Sequence, residues 1–92
     1  MLIKGKFMKS ENNKFILYVM NDCPFCTEAK ELLKQNNLSH DVICFDNRPK
    51  VLKEFKDIYN WQTVPMVFER LEDNNFKLIG GYTDLKKRLG GA

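Results

Sequence analysis

The chain lacks any apolar run approaching the roughly 20 residues needed to span a bilayer, so no membrane partner is expected. Its first residues, "MLIKGKFMKSENNK", lack the continuous apolar core of a secretory signal and read as a short extension over 1–13. Long basic blocks are missing as well. Lys86, Lys87 and Arg88 cluster, but a net charge of +3 with Lys and Glu interspersed does not make the concentrated surface that nucleic acid requires. Cysteine is scarce. Three cysteines, two of them only three positions apart, cannot staple a disulfide-rich secreted scaffold. A reducing, cytoplasmic setting is the expectation. No internal repeat, low-complexity tract, Ser/His/Asp set or phosphate loop is visible, so 92 residues read as one small domain.

What is present is a regular alternation of elements. "KFILYVM", Lys14 to Met20, is an apolar run of strand formers, expected to be central and buried on both faces. Pro24 suits the first turn of a helix, whose apolar stripe is Ala29, Leu32 and Leu33 and whose stop signals are Asn36 and Asn37. "HDVICF", His40 to Phe45, is a second strand, so the unit is βαβ with the strands parallel. A second helix carries Val51, Leu52, Phe55, Ile58 and Tyr59 at helical spacing towards the sheet. "VPMVFER" opens a third strand at Pro65, and Asp73 to Asn75 turn it into an antiparallel partner, "FKLIG". "TDLKKRL" is a short final helix with Thr83 or Asp84 as its cap. The expected fold class is α/β, a four-stranded mixed sheet with three helices.

The chemistry lies in Cys23-Pro24-Phe25-Cys26. A zinc reading is available, because His40 and Cys44 follow at finger-like spacing. On a strand, however, those two side chains stand about 13 Å apart, at about 3.3 Å per residue, too far for one ion. Redox chemistry fits better. Cys23 sits between a strand end and a helix N-terminus, where free N–H groups and the helix dipole favour thiolate, so its pKa should fall below the free value of about 8.5. Cys26 lies one turn further in. Cys23 is then the attacking nucleophile and Cys26 the thiol that resolves the mixed disulfide. Cys44, the odd thiol, is expected to be a buried small hydrophobe, and His40 to be exposed and inert.

"CPFC" is similar to the CPYC active site of dithiol glutaredoxins, "TVP" at Thr63 to Pro65 to their cis-proline motif, and "GGYTDL" at Gly80 to Leu85 to their glutathione-binding segment. The motifs occur in family order, and the strand pattern matches over about Lys14 to Leu89, within a domain expected to span 14–92. The resemblance implies a thioredoxin-like fold, a redox-active Cys23–Cys26 disulfide, and a glutathione site formed by Gln62, Thr63, Val64, Pro65, Gly81, Thr83 and Asp84. It implies glutathione as co-substrate with no tightly bound cofactor, disulfide-bonded or glutathionylated proteins as partners, and a monomer. Under this reading an extended ligand pairs with Val64's backbone, and the glycines allow close approach. Asp84 takes the ligand's ammonium, and the helix start takes its γ-glutamyl carboxylate. The sequence departs from the family at Phe25, where tyrosine is usual, and at Met20, where a basic residue is usual. The alternative reading is a carrier in which two chains share a [2Fe–2S] cluster through Cys23 and two glutathiones. A thioredoxin-type reductase substrate is a third, against which the Gly-Gly-x-Thr-Asp segment speaks.

Overall fold

In a computed structural model, which describes residues 14–90, the β-branched and aromatic run after Lys14 forms strand β1 (Phe15–Val19). The extension expected over 1–13 lies outside the described residues. Helix α1 (Pro24–Gln35) starts at Pro24, whose fixed φ suits a first turn. It stops at Asn36, with Asn37 left-handed at φ 56°. Strand β2 (His40–Cys44) and helix α2 (Pro49–Tyr59) follow. Asn60, left-handed at φ 54°, ends α2. Strands β3 (Met66–Arg70) and β4 (Phe76–Gly80) then lead into helix α3 (Tyr82–Arg88).

The sheet order is β2-β1-β3-β4. β1 and β2 run parallel, and the other two pairings are antiparallel, as the βαβ unit and the polar turn require. Alternation along β1 divides the interior in two. Phe15, Leu17 and Val19 face a core shared with Cys26, Ala29 and Leu33 of α1, Val67 of β3 and Leu85 of α3. Ile16 and Tyr18 face the opposite side, packed with Phe45, Leu52, Phe55, Met66 and Phe68. Helices α1 and α3 therefore cover one face and α2 the other. The pairs Val19↔Cys44, Tyr18↔Met66 and Val67↔Gly80 bring the ends of β1, β2 and β4 and the start of β3 to one end of the sheet.

Several expectations need correction. β1 is central, but only its odd face is fully buried. Its even face is half-buried. The strand closed on both faces is β3, where Met66 and Val67 are 0% exposed. Cys44 is exposed rather than buried, because β2 is an edge strand and Cys44 ends it. Ile58 is 71% exposed. It lies at the margin of the α2 stripe, since 100° per residue carries it past the arc held by Leu52 and Phe55. Helix α3 starts one residue before Thr83, so neither Thr83 nor Asp84 is the N-cap. That position is Gly81.

Candidate active site

The loop between β1 and α1 carries the first cysteine. Asn21 is clamped to the loop after β2: its backbone N–H donates to Asp46 Oδ1 at 2.9 Å and its side-chain amide to Asp46 Oδ2 at 2.5 Å. Asp22 turns the chain through a left-handed conformation, φ 52°, which aspartate tolerates better than most residues. Cys23 then takes the N-cap position of α1. Its Sγ accepts the Cys26 backbone N–H at 3.1 Å, in the place where an N-cap oxygen usually sits. Cys23 is partly exposed, whereas Cys26 is 2% exposed. The two are joined as a disulfide with Cα atoms 5.2 Å apart. The asymmetry of access expected from the sequence is present.

Opposite the cysteines, the Val64–Pro65 peptide is cis. The Val64 carbonyl oxygen lies 3.9 Å from Cys23 Sγ. Among the described residues Val64 takes part in no backbone–backbone hydrogen bond of the turns and loops. An extended peptide-like ligand could therefore pair with it.

A register shift between Val67 and Phe68 lies near the end of the β3–β4 pairing, where Val67 partners Gly80, and Gly81 follows beside Pro65. Gly80 has φ +127°, and any Cβ there would run into the Asp84 side chain. Asp84 Oδ2 accepts the Gly81 backbone N–H at 3.0 Å. Glycine offers no side chain in return, so this is the carboxylate half of a capping box.

These pieces enclose a groove of about 240 Å³ lined by Phe25, Trp61, Thr63, Val64, Pro65, Gly81, Tyr82, Thr83 and Asp84. Six of the seven residues expected to hold a ligand line it. Gln62 is exposed and is not part of the lining. Tyr82 was readable inside "GGYTDL" yet carried no signal of its own. Its ring stacks on Phe25 with centroids 6.0 Å apart and planes at 26°, so an aromatic pair flanks the groove on the cysteine side. Trp61 forms part of the wall near Gly81. Met20, in the position where a basic residue was the family expectation, packs on the α2-side core instead. His40, partly buried, places Nδ1 2.9 Å from the Leu38 carbonyl. Among the described residues no three His, Cys, Asp or Glu side chains converge as a metal site would need.

The arrangement suits thiol–disulfide exchange: a partly exposed cysteine at a helix N-terminus, a buried cysteine behind it, and a groove lined by Val64, whose carbonyl oxygen lies 3.9 Å from Cys23 Sγ. Comparison with known proteins agrees. A family model for glutaredoxin matches residues 15–71. Glutaredoxin-1 of Gallus gallus is 33% identical over 82 residues, covering 86% of this chain and 76% of its own. The crystal structure of a wheat glutaredoxin superposes with a TM-score of 0.72 at 25% identity, over 96% of this chain and 81% of that one. A buckwheat glutaredoxin in complex with glutathione has the same fold, with a TM-score of 0.69 at 24% identity over 94% and 79% of the two chains. The chain belongs to the glutaredoxin family, thioredoxin-like proteins that work as thiol–disulfide oxidoreductases.

Proposed function

We propose that the protein uses glutathione to reduce protein disulfides and protein–glutathione mixed disulfides, in the cytoplasm and as a monomer. The observation that carries this reading is the groove itself. It joins the α3 start to the Val64 backbone, which takes part in none of the backbone–backbone hydrogen bonds of the described turns and loops and whose carbonyl oxygen lies 3.9 Å from Cys23 Sγ. Glutathione is a peptide with two carboxylates and an ammonium, and the groove offers a chemical counterpart to its parts. Val64 pairs with the cysteinyl backbone. Thr83 and the first turn of α3 receive the γ-glutamyl carboxylate, and Asp84 receives the ammonium. Gln62, exposed outside the lining and next to Thr63 in the chain, donates to the glycyl carboxylate in place of the base that Met20 does not supply. A glutathione complex is known for the buckwheat structural neighbour.

With a glutathionylated protein, the Cys23 thiolate attacks the glutathione sulfur. A Cys23–glutathione disulfide forms and the protein thiolate leaves. A second glutathione thiolate then attacks the bound glutathione sulfur, releasing oxidised glutathione and regenerating the Cys23 thiolate. With a protein disulfide, Cys23 attacks one sulfur, and the Cys26 thiolate attacks Cys23 in the resulting mixed disulfide. The substrate leaves as a dithiol, and the enzyme is left with the Cys23–Cys26 bond seen here. Two glutathiones return it to the dithiol form.

The test is reduction of a small glutathione mixed disulfide coupled to glutathione reductase. Saturable turnover is expected. Turnover supported by thioredoxin reductase but not by glutathione would reject the reading. A coloured dimer with charge-transfer bands after anaerobic purification would point to the cluster carrier instead.

A further inference from the structure

Glu69 is the buried charged residue among those described, 7% exposed, on the inner strand β3 near its end away from the groove, on the face that α1 and α3 cover. Arg88, in the last turn of α3, grips it with both arms of its guanidinium. Nε donates to Oε1 at 2.8 Å and Nη2 to Oε2 at 2.5 Å. Lys14 Nζ reaches the same carboxylate at 3.3 Å. Burial pushes the Glu69 carboxyl up, but hydrogen bonds and charge from Arg88 and Lys14 outweigh this and hold it below its ordinary value. A buried ion pair is a weak source of net stability, because desolvation offsets most of its attraction. A two-point grip is nevertheless directional, which an apolar contact is not.

The direction matters because of what lies one turn away. Asp84 and Arg88 are four residues apart, on one face of a seven-residue helix. The rotation of so short a helix about its own axis is set by few contacts. Leu85, fully buried, and the partly buried Tyr82 and Leu89 supply the apolar ones. The Glu69 grip adds a directional polar one in the last turn, at the other end of the helix from Tyr82, Thr83 and Asp84, which line the groove. We propose that Glu69 and Arg88 are positioning residues of the glutathione groove: by clamping the end of α3 to β3 they aim its start at the ligand. The inference rests on the groove being the glutathione site.

The test uses the full chain with Glu69→Gln and Arg88→Gln combined, which leaves no unpaired charge buried, and Arg88→Lys, which keeps charge but loses the fork. Three quantities are read. They are KM and kcat for glutathione, binding of unreactive S-methylglutathione by fluorescence of Trp61, the sole tryptophan, and reduction of the Cys23–Cys26 disulfide by dithiothreitol. In the double variant KM and the S-methylglutathione dissociation constant should both rise by about threefold to tenfold, as misaimed binding groups do. The kcat and the dithiothreitol rate should stay within about twofold of wild type, since the cysteines are untouched. An unchanged KM, whatever the melting temperature does, overturns the proposal. Should the double variant fail to fold, Arg88→Lys decides, and a wild-type KM there overturns it too. Wild type failing to bind S-methylglutathione rejects the groove as the glutathione site, a different failure visible before any variant is made.

Discussion

Cys23 stands where α1 begins, and its sulfur accepts a helix N–H. That donor and the helix dipole both stabilise a thiolate. The thiolate pKa of Cys23 in the Cys26→Ser variant is predicted to lie below the ordinary thiol value, with absorbance titration as the measurement. A value at or above the ordinary one would mean that the helix end gives no net advantage. Cys23→Ser should abolish all thiol transfer. Cys26→Ser should keep turnover of glutathionylated substrates and lose most reduction of protein disulfides, because only the latter needs an internal resolving thiol. Asp84 has two roles that substitution can separate. Asp84→Asn keeps an acceptor for the Gly81 N–H and loses the charge, whereas Asp84→Ala loses both. A charge-assisted hydrogen bond contributes roughly 1.5–3 kcal/mol, less when exposed, so both variants should weaken use of glutathione by about tenfold. The alanine variant alone should also melt earlier, since a lost cap costs about 1 kcal/mol. Normal glutathione kinetics in Asp84→Asn would leave Asp84 as a cap only.

Elements built from side-chain pattern were legible in the sequence, and those built from backbone geometry were not. Strand β1, helix α1 and the hairpin of β3 and β4 announce themselves through apolar spacing, Pro24 and the Asp73 to Asn75 turn. The start of α3 gave no such signal, because its cap is Gly81, a residue without a side chain to recognise. The exposure of Cys44 is not legible because "HDVICF" does not say which strand lies at the edge. The Glu69–Arg88 pair joins residues nineteen apart in sequence, and no local pattern connects them. The two adjacent glycines show the same limit, and they divide under substitution. Gly80 has φ +127° and no room for a Cβ beside Asp84. Gly80→Ala should therefore lower the melting temperature, by more than the about 1 kcal/mol that compatible glycine sites gain from alanine. Gly81 has φ −102°, and a Cβ there would sit 3.6 Å from the Pro65 carbonyl and 3.8 Å from Trp61, ordinary contact distances. Gly81→Ala should fold with little change and raise the glutathione KM, because the methyl intrudes on the groove. Equal melting temperatures for the two variants would contradict this assignment.

At the scale of the whole fold, two apolar layers flank the sheet, and among the described residues one charged side chain is set into the α1 and α3 side of it. That places a pH dependence in the stability of the fold. Glu69 has its carboxyl held below the ordinary 4.5 by Arg88 and Lys14 against the opposing effect of burial. A group whose folded pKa is depressed binds protons more readily when unfolded, so its contribution to stability is complete above the unfolded pKa. It is lost as pH falls through the lower, folded value. Glu69 should therefore stabilise the fold fully above about pH 4.5 and progressively less below it. The Arg88 guanidinium, held up by its hydrogen bond to Glu69 and by that carboxylate's charge, keeps its proton throughout this range and adds no slope. The exposed carboxylates of the surface pairs, such as Lys53 with Asp57 and Lys34 with Glu31, are screened and contribute little. Wild type should lose more of its melting temperature than Glu69→Gln between about pH 5 and about pH 3. Glu69→Gln removes the titrating group and keeps a polar side chain for Arg88 and Lys14. Thermal unfolding followed by circular dichroism at several pH values measures both curves. They should lie apart at pH 6 and draw together as the pH falls through the lowered folded pKa, because protonated glutamic acid and glutamine are near isosteres. Parallel curves over that interval would show that Glu69 does not carry the acid sensitivity of this fold.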